Sequence, residues 1–169
     1  MSQIFAVTSG KGGVGKSTVS AGLAFAFSGL SKKTLLVDMD EGLRCLDIML
    51  GVDSSAVFDL SDILMGKDMA DAVYKVGESN NLFLVPAPSE VGKIDAFAFS
   101  GFVREAEKEY DIIIFDFPAG MDFRFTPVCL RERFPDGGSA RSCLGTGRSS
   151  GKREASRAFL LIKACYQQF

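Results

Sequence analysis

The sequence predicts an α/β fold, a doubly wound and mostly parallel sheet with helices on both faces. Short apolar runs of strand length alternate along the chain with longer segments of helical character, and this alternation is typical of β–α–β units. The last of these runs, at residues 111–116, is apolar between its two aspartates, which indicates a strand covered on both faces. A glycine-rich segment separates the first apolar run from the first helical pattern.

The predicted strands share a block of apolar, often β-branched side chains. They are expected at residues 4–9, 33–38, 82–85 and 111–116. Pro86 and Pro88 end the third strand, because proline cannot donate to a sheet ladder.

The predicted helices are recognised by apolar spacing and by flanking glycines. They are expected at residues 16–30, 58–65, 69–76 and 93–108, with an ordered loop and a short helix at 41–52. In the last helix we expect Phe97, Phe102, Val103 and Ala106 to face inward.

The glycine-rich segment has the features of a phosphate-binding loop. Glycines allow successive N–H groups to point inward as an anion nest, and the following helix N-terminus adds partial positive charge. A lysine can reach the outer phosphates, and a hydroxyl can ligate Mg²⁺. The alternative is a glycine turn that binds nothing. The expected ligand-binding residues are Gly10, Lys11, Gly12, Gly13, Val14, Gly15, Lys16, Ser17 and Thr18.

Acidic residues follow two of the predicted strands. Asp38 and Asp40 come at the end of the second strand, and Asp116 ends the fourth. Because the carboxyl ends of parallel strands open onto one crevice, we expect these carboxylates to lie beside the loop, where a magnesium–triphosphate group needs them. The alternative for each is a surface carboxylate at a strand end.

Composition excludes several other classes of protein. The 169 residues carry a net charge of -2 and no histidine, which disfavours a nucleic-acid-binding protein, a histidine-dependent zinc site and a Ser-His-Asp site. The cysteines, Cys45, Cys129, Cys143 and Cys165, form no CxxC pair, as expected in a reducing cytosol. No signal peptide and no apolar run of about 18 residues is visible, so we expect one cytoplasmic domain at most.

Residues 11–17 match the pattern K-G-G-x-x-G-K-[S/T] and so resemble the deviant Walker A ATPases of the MinD/ParA family, which have a P-loop NTPase fold. The resemblance implies ATP and Mg²⁺ as cofactors and a homodimer in the ATP-bound state. It implies that Lys16 contacts the phosphates of its own subunit, whereas Lys11 reaches the partner's ATP.

Two further segments resemble the switch regions of that family. Asp116 resembles a Walker B acid, and Pro118, Ala119 and Gly120 lie in a segment similar to switch II, which senses the γ-phosphate. Residues 38–47 resemble switch I of the septum-placing branch. The resemblance implies that Asp40 orients the attacking water. It also implies a metal set of Ser17, Asp38 and Asp116, and a catalytic set of Lys11, Lys16 and Asp40.

The resemblance therefore implies an ATPase that regulates division-septum placement, with a membrane surface and a regulatory protein as partners. A flagellar-number or ParA-type partitioning ATPase is an alternative within the family. A product without ATPase activity is another alternative.

The chain changes character after about residue 122. Residues 131–157 are rich in glycine, serine and charge without periodicity, which favours disorder. We expect residues 1–122 to be the N-terminal part of the ATPase domain and residues 123–169 to be a divergent, poorly ordered tail. The sheet would then be incomplete on its C-terminal side, with one side of the first strand open. Residues 153–162 suggest either an unstructured segment or, less well, an amphipathic membrane helix. We also hypothesise a frameshift in the coding sequence shortly after Gly120.

Overall fold

The computed structural model describes residues 2–9, 11–52 and 55–119, and the backbone of residues 159–163. Its helices are α1 (Lys16–Gly29), α2 (Cys45–Leu50), α3 (Leu60–Leu64) and α4 (Ala96–Glu109). Its strands are β1 (Gln3–Thr8), β2 (Thr34–Asp38), β3 (Tyr74–Lys75), β4 (Leu82–Val85), β5 (Ile112–Asp116) and β6 (Phe159–Lys163).

The strands form one sheet in the order β3-β4-β2-β5-β1-β6. Every neighbouring pair is parallel except β3 with β4, which is antiparallel. The predicted fold class, an α/β protein with a mostly parallel sheet, is confirmed. The four predicted strands are also found, and their bounds differ from the predicted ones by at most one residue at each end.

Each face of the sheet is covered by its own apolar core, as a doubly wound fold requires. On one face, α4 buries Phe99, Phe102 and Ala106 against alternate residues of the central strands. On the other face, Ala21 and Ala24 of α1 pack against the remaining strand residues. All five residues of β2 and all five of β5 are buried, because these strands contact a core on each side.

The predicted helix at residues 69–76 is wrong beyond its first turn. Met69–Asp71 form a single 3₁₀ turn, and Tyr74–Lys75 form a strand that pairs with β4. The Tyr74 hydroxyl receives a hydrogen bond from the Phe58 N–H at 2.8 Å, and the Val76 N–H donates to the Leu82 carbonyl at 3.0 Å. These long-range bonds favour the extended backbone over helix.

Helix α4 begins three residues later than predicted, because the Asp95 side chain caps it by accepting hydrogen bonds from the Phe97 and Ala98 N–H groups. Phe102, Val103 and Ala106 face the core as predicted. The inward position predicted for Phe97 is wrong, since this residue is 84% exposed. Phe99 takes the buried place instead and completes an i, i+3, i+4, i+7 face.

The backbone of β6 pairs in parallel with β1 along residues 4–8. The expectation of an unstructured segment is therefore wrong for residues 159–163, and so is the expectation that one side of β1 lies open. A short apolar block such as Phe159–Lys163 suits a strand beside an edge that would otherwise leave its N–H and C=O groups unpaired. Residues 123–158 and 164–169, which we expected to be poorly ordered, lie outside the described residues. Within the described part of the chain, no helix is long and apolar enough to cross a membrane.

Candidate functional site

The glycine loop leads from β1 into the first turn of α1. Gly13 and Gly15 have φ angles of 71° and 84°, in the left-handed region that only glycine adopts freely. Gly15 is the N-cap of α1 and offers no side-chain cap, so the first N–H groups of the helix remain available to an anion. Lys16 follows directly and is only 9% exposed.

The loop lies against the segment that follows β5. A Cβ added to Gly12 would meet the Ala119 Cβ at 3.8 Å, which places the two segments in ordinary van der Waals range. Pro118 is half-buried beside this contact, and Phe117 is buried, with its N–H donating to the Val7 carbonyl at 3.0 Å. Within the described residues, Ala119 of the predicted switch II segment and Gly12 of the predicted phosphate loop are therefore neighbours in the fold.

Asp38 and Asp116 end adjacent parallel strands and stand opposite each other in the register of β2 and β5. They are 1% and 2% exposed, respectively. Two carboxylates are rarely buried side by side without a cation or other compensation. The predicted convergence of these acids at one edge of the sheet is confirmed by the register.

Burial raises the pKa of the Asp38 carboxyl to about 7, against hydrogen bonds donated by the Asp40 and Leu46 N–H groups. Those bonds measure 2.9 Å and 3.3 Å. Burial also raises the pKa of Asp116, while hydrogen bonds with Ser17 and Ser20 and the charge of Lys16 act in the opposite direction. Two buried carboxylates on adjacent strands therefore favour a cation beside them.

Asp40 lies at the mouth of the site and is partly exposed. Burial raises the pKa of its carboxyl, and the charge of Lys16 lowers it. The charge of Lys16 lowers the pKa of both Asp40 and Asp116, so these three side chains interact electrostatically in one site. Lys11 is exposed in the loop. Within the described residues, it makes no hydrogen bond to an acid of the site.

The remaining predicted site residues are distributed around this centre. Ser17 is partly buried and bonded to Asp116, whereas Val14 is half-buried and Thr18 is exposed on the first turn of α1. Gly10 and Gly120 lie outside the described residues.

Two residues of this region were not predicted from the sequence. The Ser20 hydroxyl is fully buried and donates to the Asp116 carboxylate at 2.8 Å. The sequence does place Ser20 one helical turn after Lys16. Since residues four apart share a helix face, this spacing could have predicted that Ser20 faces the site. The second residue, Glu41, accepts three backbone hydrogen bonds from residues 92–94, and its local sequence carries no signal for that contact.

The donor set fits a magnesium ion that is also held by phosphates. Among the described residues, no three His, Cys, Asp or Glu side chains lie close enough together to hold a metal ion by themselves. Mg²⁺ commonly takes one or two carboxylates and fills its other positions with water and substrate phosphates. The buried acids Asp38 and Asp116 with the Ser17 hydroxyl fit that mode.

We expect Asp38→Asn to stabilise the ligand-free chain at pH 8 by about 2–4 kcal/mol, because each unit of pKa shift corresponds to about 1.4 kcal/mol. The folded-state pKa of Asp38 lies above the ordinary value of 3.8. Its contribution to stability is therefore full below about pH 4 and is lost as the pH rises through about 7. Near pH 4 this advantage should disappear, and Asp38→Asn should be slightly the less stable protein, because a single amide oxygen cannot accept both hydrogen bonds donated by the Asp40 and Leu46 N–H groups.

Urea unfolding at pH 4, 6 and 8 measures this difference. The exposed Asp71, changed to Asn, serves as the matched control and should leave the pH dependence unchanged. An Asp38→Asn variant that is no more stable than the parent at pH 8 would show that the buried carboxylate is compensated in the free chain.

Comparison with known families places this site in a wider context. A family model described as an AAA domain matches residues 2–126. The chain is 41% identical over 169 residues to the septum site-determining protein MinD of Synechocystis. That alignment covers 97% of this chain and 60% of the relative, so it continues past residue 122, where we expected the resemblance to end. The domain boundary at residue 122 and the frameshift remain predictions.

Two solved structures have the same fold. A chain of the MinC:MinD cell division protein complex of Aquifex aeolicus superposes with a TM-score of 0.65 at 38% identity, over 74% of this chain and 51% of that chain. MinD of Pyrococcus horikoshii, solved with Mg-ADP, gives a TM-score of 0.66 at 33% identity, over 77% of this chain and 54% of that chain. The chain thus spans about half the length of the solved proteins. By its family match, its fold and its loop, the chain belongs to the AAA domain family, in the MinD/ParA group of P-loop proteins.

Proposed function

We propose that this chain binds ATP with Mg²⁺ and hydrolyses it as part of division-septum placement. The observation that carries the proposal is the meeting of the glycine loop, Lys16 and the Asp38–Asp116 pair at the carboxyl ends of β1, β2 and β5. The anion nest of the loop suits a phosphate group, and the buried acid pair beside it suits the metal ion that the phosphate carries. The two parts of the site together therefore fit a metal-bound phosphate.

Each group has a proposed role in phosphate binding. The N–H groups of the loop, including those of Gly13 and Gly15, surround the phosphates, and Lys16 supplies the balancing charge. Ser17, Asp38 and Asp116 would hold Mg²⁺, and Ser20 keeps the Asp116 carboxylate in place through its 2.8 Å hydrogen bond. When bound, Mg²⁺ neutralises charge on the β- and γ-phosphates.

For hydrolysis we propose that Asp40 orients the attacking water. The water oxygen bonds to the γ-phosphorus while the bond to the β–γ bridging oxygen breaks, and the proton leaves with phosphate or solvent. Catalysis of this kind depends chiefly on positioning and charge neutralisation. Ala119 lies beside the loop, and we propose that the segment at residues 118–120 contacts the γ-phosphate and so distinguishes ATP from ADP.

The proposed partners are a second copy of the chain, a membrane surface and a regulatory protein. The sequence match of residues 11–17 supports the dimer, because Lys11 is exposed in the loop and free to reach a facing subunit. The MinC:MinD complex named among the structural relatives supports a regulatory protein partner.

We expect Lys11→Ala to keep ATP affinity within about threefold while losing the ATP-dependent dimer, because an exposed lysine contributes little to the phosphates of its own subunit but supplies a charge across the interface. Light scattering with Mg²⁺ and a non-hydrolysable ATP analogue measures the dimer. The exposed Lys32, changed to Ala, is the matched control and should dimerise like the parent.

The result distinguishes the proposal from its alternatives. A Lys11→Ala variant that still dimerises with the analogue would contradict the role of Lys11. A folded parent chain that neither binds nor hydrolyses Mg-ATP would contradict the proposed function and favour a product without ATPase activity.

A further inference from the structure

Glu41 connects the Asp40 segment to a distant loop. Its carboxylate accepts hydrogen bonds from the N–H groups of Gly92, Lys93 and Ile94, at 3.0, 2.8 and 3.0 Å. Three successive backbone N–H groups converging on one carboxylate form a compact anion nest that the protein fills with its own side chain. Hydrogen bonds to an ionised acceptor are about twice as strong as neutral ones, so this is a strong connection for a surface segment.

The backbone beside Glu41 reinforces the connection. The Gly42 N–H donates to the Pro88 carbonyl at 2.9 Å. Gly42 has a φ of 84°, and a Cβ there would lie 3.4 Å from the Val91 Cγ2 atom. The positive φ angle favours glycine at this position, and the contact with Val91 shows that the Asp40–Gly42 segment lies directly on the loop at residues 88–94.

That loop leads into a rigid part of the core. It enters α4, which begins at the Asp95 cap. Phe99 of α4 packs edge-to-face against Phe115 of β5, with ring centroids 5.3 Å apart. The next residue is Asp116. A continuous path of contacts thus joins the segment that carries Asp40 to the strand that carries Asp116.

We propose that Glu41 is a positioning residue, which fixes Asp40 for water activation by binding the backbone of residues 92–94. The inference rests on the proposed function, because it assumes that Asp40 acts on the attacking water. The hydrogen bonds of Glu41 within the described part of the chain go to residues 92–94 and not to the phosphate loop, so its effect is on the rate of hydrolysis and not on nucleotide affinity.

The test compares Glu41→Ala and Glu41→Gln in the full chain with Mg-ATP as the probe. A misplaced catalytic group costs up to about 100-fold in rate, so kcat of Glu41→Ala should fall by about 10- to 100-fold while the ATP dissociation constant stays within about threefold. Glutamine can accept the bonds from Lys93 and Ile94 with its single oxygen but not the bond from Gly92. Its kcat should therefore lie between those of the parent and Glu41→Ala.

A matched control and a second measurement separate positioning from general loss of structure. Glu90 lies on the same loop and forms an exposed ion pair with Lys93 at 2.9 Å, so Glu90→Ala should keep the parental kcat. Amide exchange should become faster at residues 92–94 in Glu41→Ala, and to a smaller extent in Glu41→Gln.

The outcomes separate the two proposals. A parent with normal turnover and an unchanged kcat in folded Glu41→Ala overturns the role of Glu41 alone. Equal losses of ATP affinity and kcat in the glutamine variant indicate a merely structural role and also overturn it. A folded parent without turnover overturns the proposed function and this inference together. If Glu41→Ala does not fold, the kcat of Glu41→Gln decides.

Discussion

Lys16→Ala should weaken Mg-ATP binding by about 10- to 150-fold, because a charge-assisted contact is worth about 1.5–3 kcal/mol and its loss leaves the outer phosphates without their main counter-charge. Lys16 is buried beside Asp40 and Asp116 and lowers the pKa of both. Its removal therefore also leaves two acids facing the phosphates without a protein cation. Isothermal titration calorimetry measures the affinity.

Two controls make this result specific to the site. Lys32→Ala removes an exposed lysine just after α1 and should keep the parental affinity. Circular dichroism of Lys16→Ala should show a folded chain. Parental affinity for Mg-ATP in folded Lys16→Ala would refute the assignment of residues 10–18 as the phosphate loop.

Asp40→Ala should lower the rate of ATP hydrolysis by about 100-fold or more while ATP affinity stays within about threefold. A group that acts only on the attacking water stabilises the transition state and not the bound substrate. Asp40 is partly exposed at the mouth of the site, so its removal leaves no buried group without a partner and the fold should persist. Phosphate release under saturating Mg-ATP measures the rate.

The exposed Asp71 again offers a matched control, and Asp71→Ala should hydrolyse ATP at the parental rate. Turnover in Asp40→Ala close to that of the parent would assign the orientation of water to another group. Equal losses of affinity and rate would instead assign Asp40 to phosphate or metal binding.

The sequence was sufficient for the central part of the fold, because the central strands are blocks of apolar residues whose burial on both faces leaves few alternatives. It was also sufficient to predict that Asp38 and Asp116 lie close together, because both residues end strands of a parallel sheet. The local pattern of apolar residues and acids encodes these features directly.

Long-range contacts account for what the sequence did not predict. Residues 92–94 were expected to be helical or adjacent to helix, yet Gly92 and Lys93 donate to Glu41 and the helix begins only after Asp95. The strand Tyr74–Lys75 depends on its pairing with β4. The pairing of β6 with β1 likewise joins segments that are far apart in the chain. Local periodicity contains no information about such partners.

Paramagnetic mapping with Mn²⁺ and ATP tests the central claim most directly, because Mn²⁺ can replace Mg²⁺ beside phosphates and broadens the amide resonances near it. In the parent chain, the account predicts broadening at residues 12–17, 38–40 and 116–119, and none for the remote strand Tyr74–Lys75. It also predicts that Mn²⁺ without nucleotide produces far weaker broadening, since Asp38, Asp116 and Ser17 complete the site only together with phosphates. Broadening that avoids the glycine loop and the two buried acids, or that is the same with and without ATP, would contradict a joint nucleotide–metal site.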